Sequence, residues 1–412
     1  MTATAALVLV EPGAHRPGGH RDHTLTALAT AHGNAVVVAP YGIADGTRTA
    51  LETAGARLTG PTGMLPAVLA AAGTYTAMLA TAGQRALASG RWPRPLRRLP
   101  HQATLLARCL VEAACVRTGH RLTGGTASVV VLSASEALHG VAGLLGGPHL
   151  RFVHELVTTE DAPLRTLGRL ARPGERRVVV LAPTGAVRDA LAARFPHLPL
   201  QVRPFAVADP DDRLTDTERR RAREDFGIPA ADAAVCLVGG WWPYKDLDVV
   251  DAALARLDVP LHVLVVGGPL DDDRLRAWGN LPYVRLHVRP GPVPEAGVRK
   301  VYAASDAGLV ARRSGVAKES GLVVDAVRLG VSLIVSGHDP ALTKALAGQD
   351  WVRLFPTGDG AALADVLRDL AWCPLPRPAA GAAADLDVPT AAEQTAFLAD
   401  LKEPYGCLPC PR

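Results

Sequence analysis

Short runs of valine, leucine and alanine recur along this chain, and most are followed by a stretch long enough for a helix. A run that is apolar at every position predicts a strand covered on both faces, and such strands belong to parallel sheets built from βαβ units. In the first half the predicted strands are Ala6–Val10, Ala35–Val38, Ser128–Leu132, Arg151–His154 and Val178–Leu181. In the second half they are Ala234–Val238, His262–Val266, Val284–Val288, Ala307–Val310, Ser332–Val335 and Trp351–Phe355. A chain of 412 residues exceeds one hydrophobic core. The pattern therefore predicts an α/β protein with two Rossmann-like domains facing a central cleft. Residues 1–204 form the first domain and 205–385 the second, with a segment 386–412 that packs back towards the first.

Between the strands lie three regions of other character. Residues 62–122 are alanine-rich, mostly helical and insertion-like, interrupted by GRWPRPLRRLP. Residues 209–225 are highly charged, which predicts a linker and a solvated helix. Residues 374–389, rich in proline and alanine, predict a loose connector before a last helix of about Ala391 to Lys402.

Composition removes several classes of function. With 48% hydrophobic and 20% charged residues the chain is not disordered, and its net charge of +4 is spread along it. The one basic cluster, Arg91, Arg94, Arg97 and Arg98, is broken by prolines and is read as a surface connector, with a membrane-surface or anionic-acceptor patch as the alternative, and no nucleic-acid partner is expected. The close pair Cys407 and Cys410 lacks the two further ligands of a structural zinc site. The cysteines therefore predict a reducing, cytoplasmic setting. The opening ALVLV run reads as a buried strand rather than a leader. No window of about 18 consecutive apolar residues occurs, so no transmembrane segment is expected.

The chemistry concentrates between Ala304 and Ser336, where a strand leads through a loop to SGLVVDAVRLG. Ser320, Gly321 and Leu322 fall where a helix should start, and exposed amides at the positive end of a helix dipole suit a phosphate. Asp325 is either an acceptor for two ribose hydroxyls or an aspartate favoured by its first-turn position. Asp271–Asp273 open a helix and read as caps, so no catalytic metal is expected. Trp241 and Trp242 either stack on a ligand or, the favoured alternative, one packs between the domains while the other shields its loop. His154 is either a satisfied core histidine or a functional one.

These segments resemble the donor site of family-4 glycosyltransferases of the GT-B fold. In one branch an arginine-bearing loop precedes Ser-Gly and an acidic residue before alanine, as Arg312–Arg313, Ser320–Gly321 and Asp325–Ala326 do here. The segment VGGWWPYKDLD is similar to the family's loop that approaches the diphosphate. Gly239 and Lys245 fall on its glycine and lysine, and Gly240 stands where an arginine is usual, leaving Arg312 or Arg313 to supply that charge. Gly18–Gly19 resembles the glycine pair that closes on the donor phosphates, and His154 the histidine near the transferred sugar. His20 and His23 are weaker candidates for acceptor binding. The family's pair of glutamates is altered: the first position is Ala317 and the second Asp325, with Lys318 and Glu319 nearby to compensate.

The resemblance implies a glycosyltransferase moving a sugar from a nucleoside-diphosphate sugar to a small-molecule acceptor. The acceptor expected is a specialised metabolite, as in antibiotic biosynthesis, with an O- or S-linked product. Transfer is expected with retention and without a metal, and no cofactor is expected beyond the donor. His154, Lys245 and Arg312 would carry catalysis. Gly18, Gly19, Gly239, Gly240, Lys245, Arg312, Arg313, Glu319, Ser320, Gly321, Leu322 and Asp325 would hold the donor. The alternatives are a sugar-nucleotide epimerase or phosphorylase of the same fold, or a non-catalytic sugar-nucleotide binder.

Overall fold

The computed structural model describes residues 7–16, 20–88, 93–156, 160–315 and 318–401. The first half carries strands β1 (Leu7–Val10), β2 (Val36–Val38), β3 (Arg57–Thr59), β4 (Ser128–Val131), β5 (His149–Phe152), β6 (Val178–Ala182) and β7 (Leu200–Val202). Its helices are α1 (His20–His32), α2 (Asp45–Thr53), α3 (Met64–Ala88), α4 (Arg94–Leu122), α5 (His139–Gly146), α6 (Ala162–Leu170) and α7 (Gly185–Arg194). After α8 (Asp216–Phe226), the second half carries β8 (Ala233–Val238), β9 (Leu261–Gly267), β10 (Val284–Pro290), β11 (Ala307–Val310), β12 (Ser332–Ser336) and β13 (Val352–Phe355). Its helices are α9 (Leu247–Leu254), α10 (Asp272–Gly279), α11 (Glu295–Ala304), α12 (Gly321–Leu329), α13 (Pro340–Leu346), α14 (Gly360–Trp372) and α15 (Ala391–Asp400).

Both sheets are parallel throughout. The seven-stranded sheet runs β3-β2-β1-β4-β5-β6-β7 and the six-stranded sheet β10-β9-β8-β11-β12-β13. Each reverses direction once, between β1 and β4 and between β8 and β11, which is the doubly wound Rossmann order.

The valine runs work as their pattern predicts. Side chains alternate across a strand, so Leu7 and Leu9 join a layer with Leu25 and Leu28 of α1, while Val8 and Val10 join Val111 and Val116 of α4 on the opposite face. In the second sheet Val235 and Leu237 face α9 and α14, and Ala234 and Cys236 face α11 and α12. Each fully buried valine or leucine contributes about 1.5–3 kcal/mol of transfer free energy.

All six strands predicted in the second half are present, with ends moved by a residue or two. In the first half β3 and β7 were missed. Both are three-residue edge strands with no fully buried position, so they lack the continuous apolar signal of the inner ones.

The three regions of other character are also better ordered than composition implied. Residues 62–122 are a helical hairpin, α3 against α4, joined closely because Gly73 and Gly83 carry no side chain. A Cβ on Gly73 would stand 2.6 Å from Val111. The arginine–proline segment is not only a connector: Arg94, Arg97 and Arg98 open α4, with Pro95 in its first turn and Pro100 inside it. Helix α8 is not wholly solvated, because Arg219 is buried and donates to the carbonyls of Gly330 (2.6 Å) and Ser305 (3.4 Å). Connector 374–389 is fixed by Arg213, which donates to the carbonyls of Pro378 (2.5 Å) and Ala379 (3.1 Å).

The last helix returns to the first half. Leu398 is fully buried in the α1 layer, and Ser128 donates to the carbonyl of Ala399 at 3.3 Å. Lys402, Cys407 and Cys410 lie outside the described residues.

Candidate functional site

In a doubly wound sheet, ligands bind beyond the carboxyl ends of the strands at the point where strand order reverses. In the second sheet that point is flanked by the loops after β8 and β11. They carry Gly239 to Asp246 and Ala311 to Ser320, the two segments that sequence singled out.

The loops are stitched together. Lys245 and Arg312 form an isolated antiparallel bridge, and the amide of Arg313 donates to the carbonyl of Tyr244 at 3.0 Å. Gly239 adopts φ +84°, a left-handed conformation that glycine takes without steric cost. The chain there turns so that Lys245 folds back under it. Its Nζ donates to the carbonyls of Val238 (2.8 Å) and Gly239 (3.1 Å). Burial, with Arg312 and Lys318 close by, pulls the Lys245 pKa down to about 7.

Arg312 is 4% exposed and its Nη1 donates to the carbonyl of Lys318 at 3.4 Å, while its buried Nε has no hydrogen-bond partner among the described residues. Burial lowers the pKa of its guanidinium. The Arg312 guanidinium and the Lys318 ammonium both lie over the Tyr244 ring, 5.5 and 4.9 Å from its centre. Lys318 pairs with Glu155 of the first half at 2.7 Å, whereas Lys245 and Arg312 form no ion pair among the described residues. Two buried cations thus stand together without a carboxylate in contact, an arrangement that favours an anion.

Three residues beyond Lys318, whose carbonyl Arg312 holds, α12 begins. Ser320 is its N-cap but its side chain does not cap it, and the buried Ser320 Oγ has no partner among the described residues. The first amides of a helix have no acceptor within it, so those at Gly321 and Leu322 add donors and positive potential. Loop 318–320 is tied to the first half by two contacts besides the Lys318 pair. Glu319 accepts from the amide of Phe205 at 3.2 Å and lies 3.9 Å from His154 Nδ1.

His154 stands two residues past β5 rather than at its end. It is held by the carbonyl of Leu132 at 2.8 Å and by an edge contact with Phe205 at 4.3 Å. Asp325, one turn into α12, is buried, and burial pushes its carboxyl up to about 6. Arg328 holds it at 3.3 Å and also binds Glu295 of α11 (2.9 Å) and the ring of His23 on α1 (3.2 Å). The acidic position thus belongs to a buried network joining both halves.

The remaining candidates sort by geometry. Arg313 turns away from Lys245 and pairs with Asp248 at 2.9 Å, so of the two loop arginines Arg312 is the one beside the lysine. Gly240 has no room for the usual arginine, because a Cβ there would stand 2.2 Å from the carbonyl oxygen of Gly268. Gly240→Ala is expected to destabilise the fold by about 1–3 kcal/mol through this overpacking, measured as a lower urea midpoint. Trp241 packs on Trp278 at 5.1 Å within the second half rather than between the domains, and Trp242 is exposed. Asp271 caps α10, accepting from the amides of Asp273 (3.0 Å) and Arg274 (3.1 Å). Gly18, Gly19 and Ala317 lie outside the described residues, and so does the side chain of His20.

Sequence reasoning missed Tyr244 and Glu155. Tyr244 sat one residue before the chosen lysine, and only the fold brings Glu155 to Lys318.

No protein-family model and no curated protein sequence matches the chain. Solved structures do match. Anabaena Alr3699/HepE in complex with UDP and glucose superposes with a TM-score of 0.60 at 15% identity, over 96% of this chain and 95% of that one. A glycosyltransferase of Rickettsia africae gives a TM-score of 0.56 at 12% identity, over 97% and 94% of the two chains. The N-terminal domain of Candida albicans trehalose-6-phosphate phosphatase gives 0.60 at 8% identity, over 98% of each. At such low identity the likeness is one of fold, and the chain has the GT-B fold.

Proposed function

We propose that this protein is a glycosyltransferase that takes a sugar from a nucleoside-diphosphate donor to a small-molecule acceptor. The observation that carries this is the pair of buried cations, Lys245 and Arg312, which form no ion pair among the described residues and sit on two bridged loops, one of which leads into the start of α12. A diphosphate is the anion whose size and charge suit two side-chain cations and a helix start together.

During transfer the bond from the anomeric carbon to the diphosphate oxygen breaks, and its electron pair leaves with the diphosphate. Lys245, Arg312 and the amides of Gly321 and Leu322 would stabilise that growing charge without a metal. The acceptor oxygen or sulfur forms the new bond, and its proton passes to the departing diphosphate. Retention is proposed on the resemblance to the retaining family. Asp325, whose Oδ1 already holds Arg328, would offer its other oxygen to the donor ribose. His154, fixed by Leu132, would face the transferred sugar. A specialised metabolite as acceptor and a cytoplasmic setting belong to the same proposal.

Titration calorimetry with UDP, GDP, ADP and dTDP tests the donor site. UDP comes first because the Anabaena protein of like fold holds it. Lys245 titrates at about 7 in the free protein and must be charged to meet a diphosphate. Affinity is therefore expected to be full below pH 7 and to fall as pH rises, by about tenfold per unit until the pKa in the complex is passed. A nucleotide that binds with the same affinity at pH 7 and 8.5, with no proton uptake, would remove Lys245 from the phosphate contact. Incubation of the donor sugar nucleotide alone separates the rivals, since an epimerase converts it without an acceptor.

A further inference from the structure

Helix α3 is built for a different environment from the rest of the surface. It runs for 25 residues with Arg85 as its one charged side chain, and it is long and apolar enough to cross a bilayer by length and composition. Only 17% of its most apolar stretch is buried. One seam, with Pro66, Gly73 and Ala80 buried, lies on the α4 side, half-buried positions flank it, and the remaining face is exposed. Met64, Val68, Tyr75 and Met78 recur at helical spacing along the outer face, with Leu65 and Leu79 beside them, and all six are exposed. A contiguous apolar face of this length marks an interaction site.

Charge indicates what covers it. From Thr53 to Val111 the chain has no aspartate or glutamate, while it has seven arginines. Arg85 lies in the last turn of α3, and Arg94, Arg97 and Arg98 lie at the start of α4, while Arg91 lies outside the described residues. Arg97 and Arg98 are exposed, as are Leu96 and Leu99 beside them. At the other end of α3, Arg117 and Arg121 of α4 border a groove beside Leu65 and Pro66. An apolar helix face that carries no acid of its own, with Arg85 and Arg97 at one end and Arg117 and Arg121 at the other, fits the boundary between acyl chains and anionic headgroups, where arginines reach up to phosphate. A second copy of this chain would bring only more positive charge to the seam.

The hairpin also has a direction. The C-terminus of α4 leads into β4, so its N-terminus points towards the carboxyl ends of the strands, where His154 and Glu155 stand. Arg98, near that N-terminus, pairs with Asp161 in the segment following β5, at 3.1 Å.

We propose that α3 lies in the interface of an anionic phospholipid bilayer and seats the first domain on the membrane surface. This does not depend on the donor reading, and its test uses no nucleotide. The whole protein is sedimented with vesicles of phosphatidylcholine alone and of phosphatidylcholine with 30% phosphatidylglycerol, a composition chosen at roughly the anionic content that sustains surface potential. Binding to the anionic vesicles is expected to be at least about tenfold tighter than to the neutral ones and to weaken with salt. Val68→Glu/Leu79→Glu is expected to lose about 30-fold or more by putting charge into the apolar face, and Arg85→Ala/Arg97→Ala roughly 30-fold. All four positions are exposed, so melting temperature should not move, which separates lost binding from lost fold. Wild-type protein that stays in the supernatant with anionic vesicles overturns the proposal. If it does so while sedimentation velocity shows a dimer that Val68→Glu/Leu79→Glu dissolves, the face belongs to a second copy.

Discussion

Lys245→Ala is expected to cut sugar-transfer turnover by about 10²–10³-fold while the protein remains folded, because one preorganised donor to a developing oxyanion is worth about that much. The stability side follows from what the lysine touches. It makes two hydrogen bonds to backbone carbonyls but has no ion-pair partner among the described residues, and Arg312 and Lys318 repel it. Losing the bonds costs about 1 kcal/mol each, offset by relief of that repulsion, so the urea midpoint should move little. Steady-state kinetics with the donor found by calorimetry, beside a urea melt of the same sample, give both numbers. Unchanged turnover and donor affinity would take the lysine out of the clamp. A large stability loss would make it a structural residue that only looks poised.

Arg151→Leu is expected to be the most damaging single change in the first domain, at about 3–5 kcal/mol, because it strands a buried carboxylate. Arg151 is fully buried and meets Glu112 of α4 at 2.8 Å. It also donates to the carbonyl of Ser135 at 2.9 Å, while Glu112 accepts from the Ser135 amide at 2.6 Å. The three groups clamp α4, β5 and the turn after β4. Burial pushes the Glu112 carboxyl up, and the Arg151 guanidinium is the strongest of the contacts that oppose this, with Arg108 and the Ser135 amide. The double change Glu112→Leu/Arg151→Leu should recover most of the loss, since well-packed apolar pairs replace buried ion pairs at little cost. Urea midpoints for the single and double variants measure this, and a double variant as unstable as the single would show that packing, not charge, is at stake.

Much of the architecture was legible because a parallel sheet writes itself as unbroken apolar runs. Every inner strand with a valine or leucine run was found, whereas β3 and β7 had none. The start of α12 was legible from Ser320 and Gly321, since a helix start is a local signal. Three things were not local. That Arg312 rather than Arg313 lies beside Lys245 depends on Asp248, which pulls the second arginine outwards. That Asp325 joins a network with Glu295 and His23 depends on α11 and α1 meeting over Arg328. That the 374–389 connector is fixed depends on residues distant in sequence, Arg213, Ser332 and Ala208 among them. Composition reports what a segment is made of, and contacts made from afar decide how it is held.

The chain passes between its halves twice, and the two passages run side by side. The amide of Ala208 donates to the carbonyl of Pro389 at 3.0 Å, and Asp209 accepts from the amide of Ala391 at 3.0 Å. Two tethers bonded to each other form one double strap between the two leaves of the molecule. A cut in either tether would leave a second covalent bond between the leaves. Removal of everything after residue 389 would do more harm, because it would strip Leu398 from the α1 layer and unroof the opposite end of the molecule's sequence.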